Sequence, residues 1–262
     1  MEEPKMQTSP AAKNTFLECE RDIVFILMML VAGYFGAFTY SIRGGVFCNA
    51  QTGNFVLLAM ALGNGQWFHA LYFVIPITAY CVGTMLSEVL PGYVKKSHLI
   101  RWDTLLIVIE ILVVIFLGFL PESAPVQITQ VLINFICSMQ YNTFRQAEGI
   151  PMATTFCTNH IRQVGIAITK SLRHPQERLS HLRRLRTHAV MLVSFVLGGV
   201  ASTFLCRFFL GKAIWFSLIP LGFVLADLLY ADLVKEKGGW IRFPGGINPG
   251  ESENINPIFC HS

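Results

Sequence analysis

The sequence predicts an all-α integral membrane protein, with six transmembrane helices plus two broken or re-entrant half-helices in a 3+3 inverted-topology repeat. Three observations lead there. The 262 residues are 53% hydrophobic and only 14% charged, with a mean hydropathy of +0.52, too apolar for an ordinary soluble domain. The two most basic loops fall on one side of a membrane if two of eight apolar segments do not cross. Finally, "AQTGNFV" (50–56) matches "FCTNHIR" (156–162), which sets Thr52 opposite Thr158, Gly53 opposite Asn159 and Asn54 opposite His160.

The elements follow in order. The first 22 residues are polar and mixed in charge, and no small-residue cleavage site precedes the second apolar run, so a removed signal peptide is not expected. The first span runs from about Ile23 to Ser41, where "GGVFCNAQTGN" (44–54) interrupts it with glycines and amides. A short half-helix, about Thr52 to Leu62, precedes spans at about Phe68 to Leu90 and Thr104 to Leu120. The second half repeats this: a span at Val126 to Asn142, a polar broken segment at Ala153 to Thr169, then spans at His188 to Cys206 and Ala213 to Leu233.

Loop charge sets the sides. Lys95, Lys96 and Arg101 lie in one loop, and Lys170, Arg173, Arg178, Arg183, Arg184 and Arg186 in another, both read as cytoplasmic. Six crossings place these loops together with both termini inside, and the loop 121–125, with Glu122, outside. Arg207 and Lys212 flank an external turn against this trend, and a seven-crossing arrangement with the N-terminus outside also joins the two basic loops. One membrane domain results, with halves at 21–120 and 124–236 and a C-terminal tail at 237–262. The segment 173–188, with Leu179, Leu182 and Leu185 among arginines, reads as a basic amphipathic helix lying on the inner surface and contacting anionic lipid.

Irregular backbone inside a bilayer survives only where protein or a watery cavity satisfies its N–H and C=O groups. Thr52, Asn54, Thr158 and His160 are therefore the candidate solute-binding residues, supported by Asn49, Gln51 and Thr155. The two half-helix N-termini, near Thr52 and Thr154, would face one another across a polar pocket. The bland alternative is tight helix packing in which the same groups satisfy each other. Glu110, well inside the third span, is the candidate for proton coupling or else a hydrogen-bonded core carboxyl, and Asp227 carries the same ambiguity. Arg145 reads as an inner-surface anchor or a substrate counter-ion. The seven cysteines show no CxxC pair and the seven histidines no HExxH spacing, so no metal and no cofactor are expected. With no nucleotide-binding loop, nucleophile elbow or paired carboxylates, an enzyme is not expected either, and the composition argues against nucleic-acid binding.

"GGVFCNAQTGNFVLLAMAL" (44–62) and "MQYNTFRQAEGIPMATTFCTNHIR" (139–162) resemble the YoaK-like family of bacterial membrane proteins, domain of unknown function 1275, over about Arg21 to Lys235. The chain departs from the family pattern at Asn159 and His160, where relatives commonly show glycine followed by Asn or Thr. The resemblance implies a six-span inner-membrane protein without an established activity. The functional expectation is a secondary transporter or channel-like carrier of a small polar or anionic solute, possible as a homo-oligomer. The alternative is a non-transporting membrane assembly or sensor protein whose polar breaks are structural.

Overall fold

The computed structural model describes residues 16–97 and 100–235. The tail 237–262 lies outside the described residues. Among the described residues, eight α-helices carry the fold: α1 (Asp22–Ile42), α2 (Gln51–Gly63), α3 (Trp67–Ser97), α4 (Trp102–Phe119), α5 (Val126–Thr143), α6 (Thr158–Arg173), α7 (Arg178–Phe209) and α8 (Leu218–Tyr230). A two-residue β-hairpin, Gln146–Ala147 with Ile150–Pro151, separates α5 from α6. A 3₁₀ segment, Leu210–Ser217, joins α7 to α8.

Among the described residues, four helical stretches are long and apolar enough to cross a membrane: Asp22–Ile42, Trp67–Val94, Trp102–Phe119 and the continuous run Pro175–Val234, which contains both α7 and α8. The expected fourth span, α5, is helical but does not meet that standard of length and apolarity. Its polar side chains explain why, and most of them turn inward: Thr129, Gln130, Asn134, Ser138, Gln140 and Asn142 are buried. A helix wrapped by protein need not be apolar all round.

Two other expectations are corrected. The second half-helix begins at Thr158 rather than near Thr154, because the β-hairpin and the irregular stretch 152–157 take up the preceding chain. The basic stretch 178–188 is not a separate surface helix. It forms the first turns of α7, which continue unbroken into the apolar part because no glycine or proline interrupts them.

Specific contacts fix how the helices pair. Along α1 and α7, Asp22 lies in electrostatic range of Arg183 and Arg186, Gly33 meets Phe195, Gly198 meets Leu30 and Tyr34, and Arg43 meets Gly211, so the two helices run parallel. Along α3 and α5, Tyr72 bonds Gln130, Gly83 packs on Phe135 and Ser138, and Asn142 bonds Glu88, again in parallel. Helices α4 and α8 are antiparallel, with Asp232 against Arg101 at one end and Trp215 against Ile115 at the other. The short helices fold back on their successors, α2 on α3 and α6 on α7. Phe25, Phe35, Phe38, Met28, Leu106, Ile133, Ile136 and Phe144 fill the core between α1, α4 and α5.

Polar networks close the two ends. At one, Arg101 pairs with Asp103 at 3.1 Å, Thr104 donates to Asp232 at 2.7 Å, and Arg183 pairs with Glu148 at 2.7 Å. Arg145 sits here too, with Nη2 2.7 Å from Glu88 and 2.6 Å from Asn142 Oδ1, and Nε donating to the Asn142 carbonyl. That arrangement braces α3 against α5. At the opposite end, Arg43 pairs with Glu122 at 3.2 Å beside Gly211.

Candidate functional site

After α1 the chain turns through Gly44 and Gly45, at φ +84° and +70°, a region that side chains rarely adopt. A methyl on Gly44 would also overlap the Tyr72 hydroxyl. The loop is then held by amides. Asn54 Nδ2 donates to the Phe47 carbonyl at 2.6 Å while its Oδ1 accepts from the Phe47 N–H at 2.9 Å, so one side chain substitutes for a missing stretch of backbone pairing. Gln51 donates to Asn134 Oδ1 at 2.7 Å, and Asn134 donates in turn to the Gln130 carbonyl one turn earlier in α5 at 2.8 Å. Asn49 donates to the Ala32 carbonyl of α1 at 3.0 Å. The first broken segment is thus tied into α1 and α5 by its own amides.

The second broken segment differs. Thr154 and Thr155 are fully buried; the Thr154 hydroxyl has no hydrogen-bond partner among the described residues, and the Thr155 hydroxyl lies beside the Tyr80 phenol. His160 and His188 form a buried pair, Nδ1 to Nδ1 at 3.0 Å, with His160 Nε2 2.8 Å from the Ala153 carbonyl. A carbonyl only accepts, so His160 carries its proton on Nε2 and accepts from His188 at Nδ1. His188 Nε2 is then a bare acceptor, buried and without a partner.

The two segments approach each other through α3 and α5. Tyr80 of α3 has Cys137, Tyr141, Thr155 and Cys48 in its immediate electrostatic surroundings, one group from each broken segment and two from α5. Glu110 of α4 lies in range of Cys137, is fully buried, and has no partner among the described residues for either carboxylate oxygen. An ionised carboxylate so placed would cost several kcal/mol, whereas the protonated acid is a small neutral dipole. Glu110→Gln is accordingly expected to fold, with unfolding free energy within about 1 kcal/mol of the parent by thermal melting in detergent. A much larger loss would reveal an ionised carboxylate with a partner.

The expected site residues separate into three groups. Gln51 and Asn54 meet at α5, and Thr155 reaches the Tyr80 cluster. His160 is held by His188 and Ala153, and Asn49 by α1. Thr52 and Thr158 are exposed in the first turns of α2 and α6, the second residue of one helix and the first of the other. Sequence reasoning missed Tyr80, Asn134, Cys137 and His188. The recurrence of Gln130, Asn134 and Cys137 at helical spacing signals a polar stripe facing protein, and a tyrosine inside a span demands a partner for its hydroxyl. Among the described residues, no group of three or more His, Cys, Asp or Glu side chains is gathered as a metal centre requires.

A family model described as protein of unknown function (DUF1275) matches residues 24–226. No curated protein and no solved structure matches the chain.

Proposed function

Because the chain belongs to the DUF1275 family, whose description carries no activity, we propose from its geometry that it is a six-span, multi-pass carrier of a small polar solute. In this reading both termini are cytoplasmic, the protein sits in a cell (inner) membrane, and it performs transport rather than chemistry. The observation that carries it is the convergence of two broken segments on Tyr80, which Thr155 reaches from the second and Cys48 from the first, with the buried hydroxyl of the adjacent Thr154 lacking a partner among the described residues. Buried polar groups seldom stay unpaired, and hydroxyls in that state suit ordered water or a hydroxyl-recognising solute.

Reciprocal pairing supports the inverted repeat. A twofold axis in the membrane plane would pair the first span of each half with the second span of the other, and the third spans antiparallel across the axis. The α1–α7, α3–α5 and α4–α8 contacts have this form. The half-helices α2 and α6 then enter from opposite sides with their N-termini toward the middle. Glu110 and the His160–His188 pair supply proton-binding groups next to the path, and the basic start of α7 contacts anionic lipid.

The non-transporting alternative draws on one observation: Asn49, Gln51 and Asn54 spend their hydrogen bonds on the protein itself. Labelling single cysteines with a membrane-impermeant maleimide separates the two readings. In a variant lacking the native cysteines, Thr155→Cys is expected to react from at least one side, and a transported solute is expected to protect it. If Thr155→Cys stays inert from both sides while Lys170→Cys, at the exposed end of α6, reacts fully, the breaks are dry and the carrier reading fails.

A further inference from the structure

Arg43 and Arg145 occupy comparable places, each just beyond the first span of its half. Their bonding differs sharply. Arg145 is saturated by Glu88 and Asn142. Arg43 is 3% exposed, and its Nε and Nη2 are buried with no acceptor among the described residues. Only Nη1 has one, Glu122 Oε2 at 3.2 Å, while the guanidinium lies 5.7 Å from the Phe38 ring. A buried guanidinium with most of its donors idle is an unfilled binding fork.

The Glu122 carboxylate shows what fits there. Its other oxygen accepts the Gly211 backbone N–H at 2.7 Å, so Arg43 and Gly211 together grip both oxygens of one carboxylate. The receptor is built into the chain. Leu210 adopts φ 49°, unusual for a residue with a side chain, immediately before the peptide that presents this N–H, and a methyl on Gly211 would overlap Arg43 Nη2. Glu122 itself is tethered loosely, in the short loop between Pro121 and Pro125, with its side chain 51% exposed.

Charge at this end has the matching sign. Arg43, the exposed Arg207 and the exposed Lys212 face a single acid in the turns, Glu122. Cations on a side read as external run against the usual loop bias, and an excess of them concentrates anions at the surface.

We propose that Arg43 and the Gly211 N–H form an outward-facing carboxylate site that Glu122 occupies as a tethered stand-in. An incoming monocarboxylate displaces Glu122 into solvent, takes over Nη1 and the Gly211 N–H, and adds bonds to the idle Arg43 donors. The outward placement rests on the topology proposed above; the binding does not depend on transport.

The test is thermal unfolding of the full chain in lipid nanodiscs with sodium acetate or sodium chloride at matched ionic strength. Acetate is expected to raise the midpoint beyond chloride. In Glu122→Gln, which removes the competing carboxylate, the half-saturating acetate concentration is expected to fall about tenfold, as expected when a tethered competitor of millimolar effective concentration is lost. Arg43→Gln alone leaves Glu122 unpaired, so the decisive control is the double variant Arg43→Gln/Glu122→Gln, which is expected to lose the acetate response. Equal responses to acetate and chloride in Glu122→Gln, or an acetate response retained in the double variant, would overturn the site and leave Arg43–Glu122 a structural ion pair. A protein that binds acetate yet carries nothing keeps this site and removes the carrier reading instead.

Discussion

Gly198→Ala should break the pairing of α1 with α7 and sharply reduce the yield of folded protein. The added methyl would overlap the Leu30 carbonyl oxygen and crowd the Tyr34 backbone, and backbone atoms cannot swing aside as a side-chain tip can. Gly33 makes the reciprocal contact on Phe195 from the α1 side. Relief requires the two helices to separate, which forfeits close packing along the interface that holds them together in a membrane. The expected loss is about 3 kcal/mol or more, the upper range for overpacking. Gly222→Ala in α8 is the matched control, because a methyl there meets nothing within 4 Å. It should be neutral, or stabilising by up to about 1 kcal/mol through helix propensity. Melting curves and size-exclusion profiles of both variants check the contrast; equal behaviour would mean that α1 and α7 are not in backbone contact.

Asn54→Ala should be the next most damaging change. It strips the partners from the Phe47 N–H and C=O and one from Gln51 Oε1, all part-buried. Two orphaned backbone groups cost about 2–4 kcal/mol together. Thr52→Ala, two residues earlier but exposed, should change stability by less than about 0.5 kcal/mol. The readout is local as well as global. Cys48, buried in the same loop, should become reactive to maleimide in Asn54→Ala and stay protected in Thr52→Ala.

The helices themselves were largely legible in the sequence. Apolar runs between glycine, proline and charged stretches bound each one, and the stretch around "QTGN" read as a break begins α2 at Gln51. The start of α6 was not, because Thr154 and Thr155 resemble a helix entrance yet follow a tiny β-hairpin whose turn holds Glu148 and Gly149, both at positive φ. Helix α5 was read as a lipid-crossing span from its aliphatic residues, but Gln130, Gln140 and Asn142 donate to neighbouring segments of the chain, and sequence does not show which neighbours a polar stripe will meet. The same limit governed the site. Asn54 stood out as a polar residue in an apolar context, but whether it served a solute or the Phe47 backbone depended on how the loop folds over it. His188 was hidden at the end of an arginine run, where a basic amphipathic segment meets the next span, and the exposed Arg207 and Lys212 registered only as exceptions to the loop-charge trend.

The crosswise pairing of α1 with α7 also constrains how the protein is made. Contacts of such high contact order cannot form while the first half leaves the ribosome, so α1 must wait in the bilayer with its Gly33 face open until nearly the whole chain has been inserted. Neither half is a self-sufficient folding unit, since each lacks the partner for its own first span. Assembly is therefore a late, single closure, and a nascent chain stalled before α7 presents the quality-control machinery with an unpaired, small-residue helix surface.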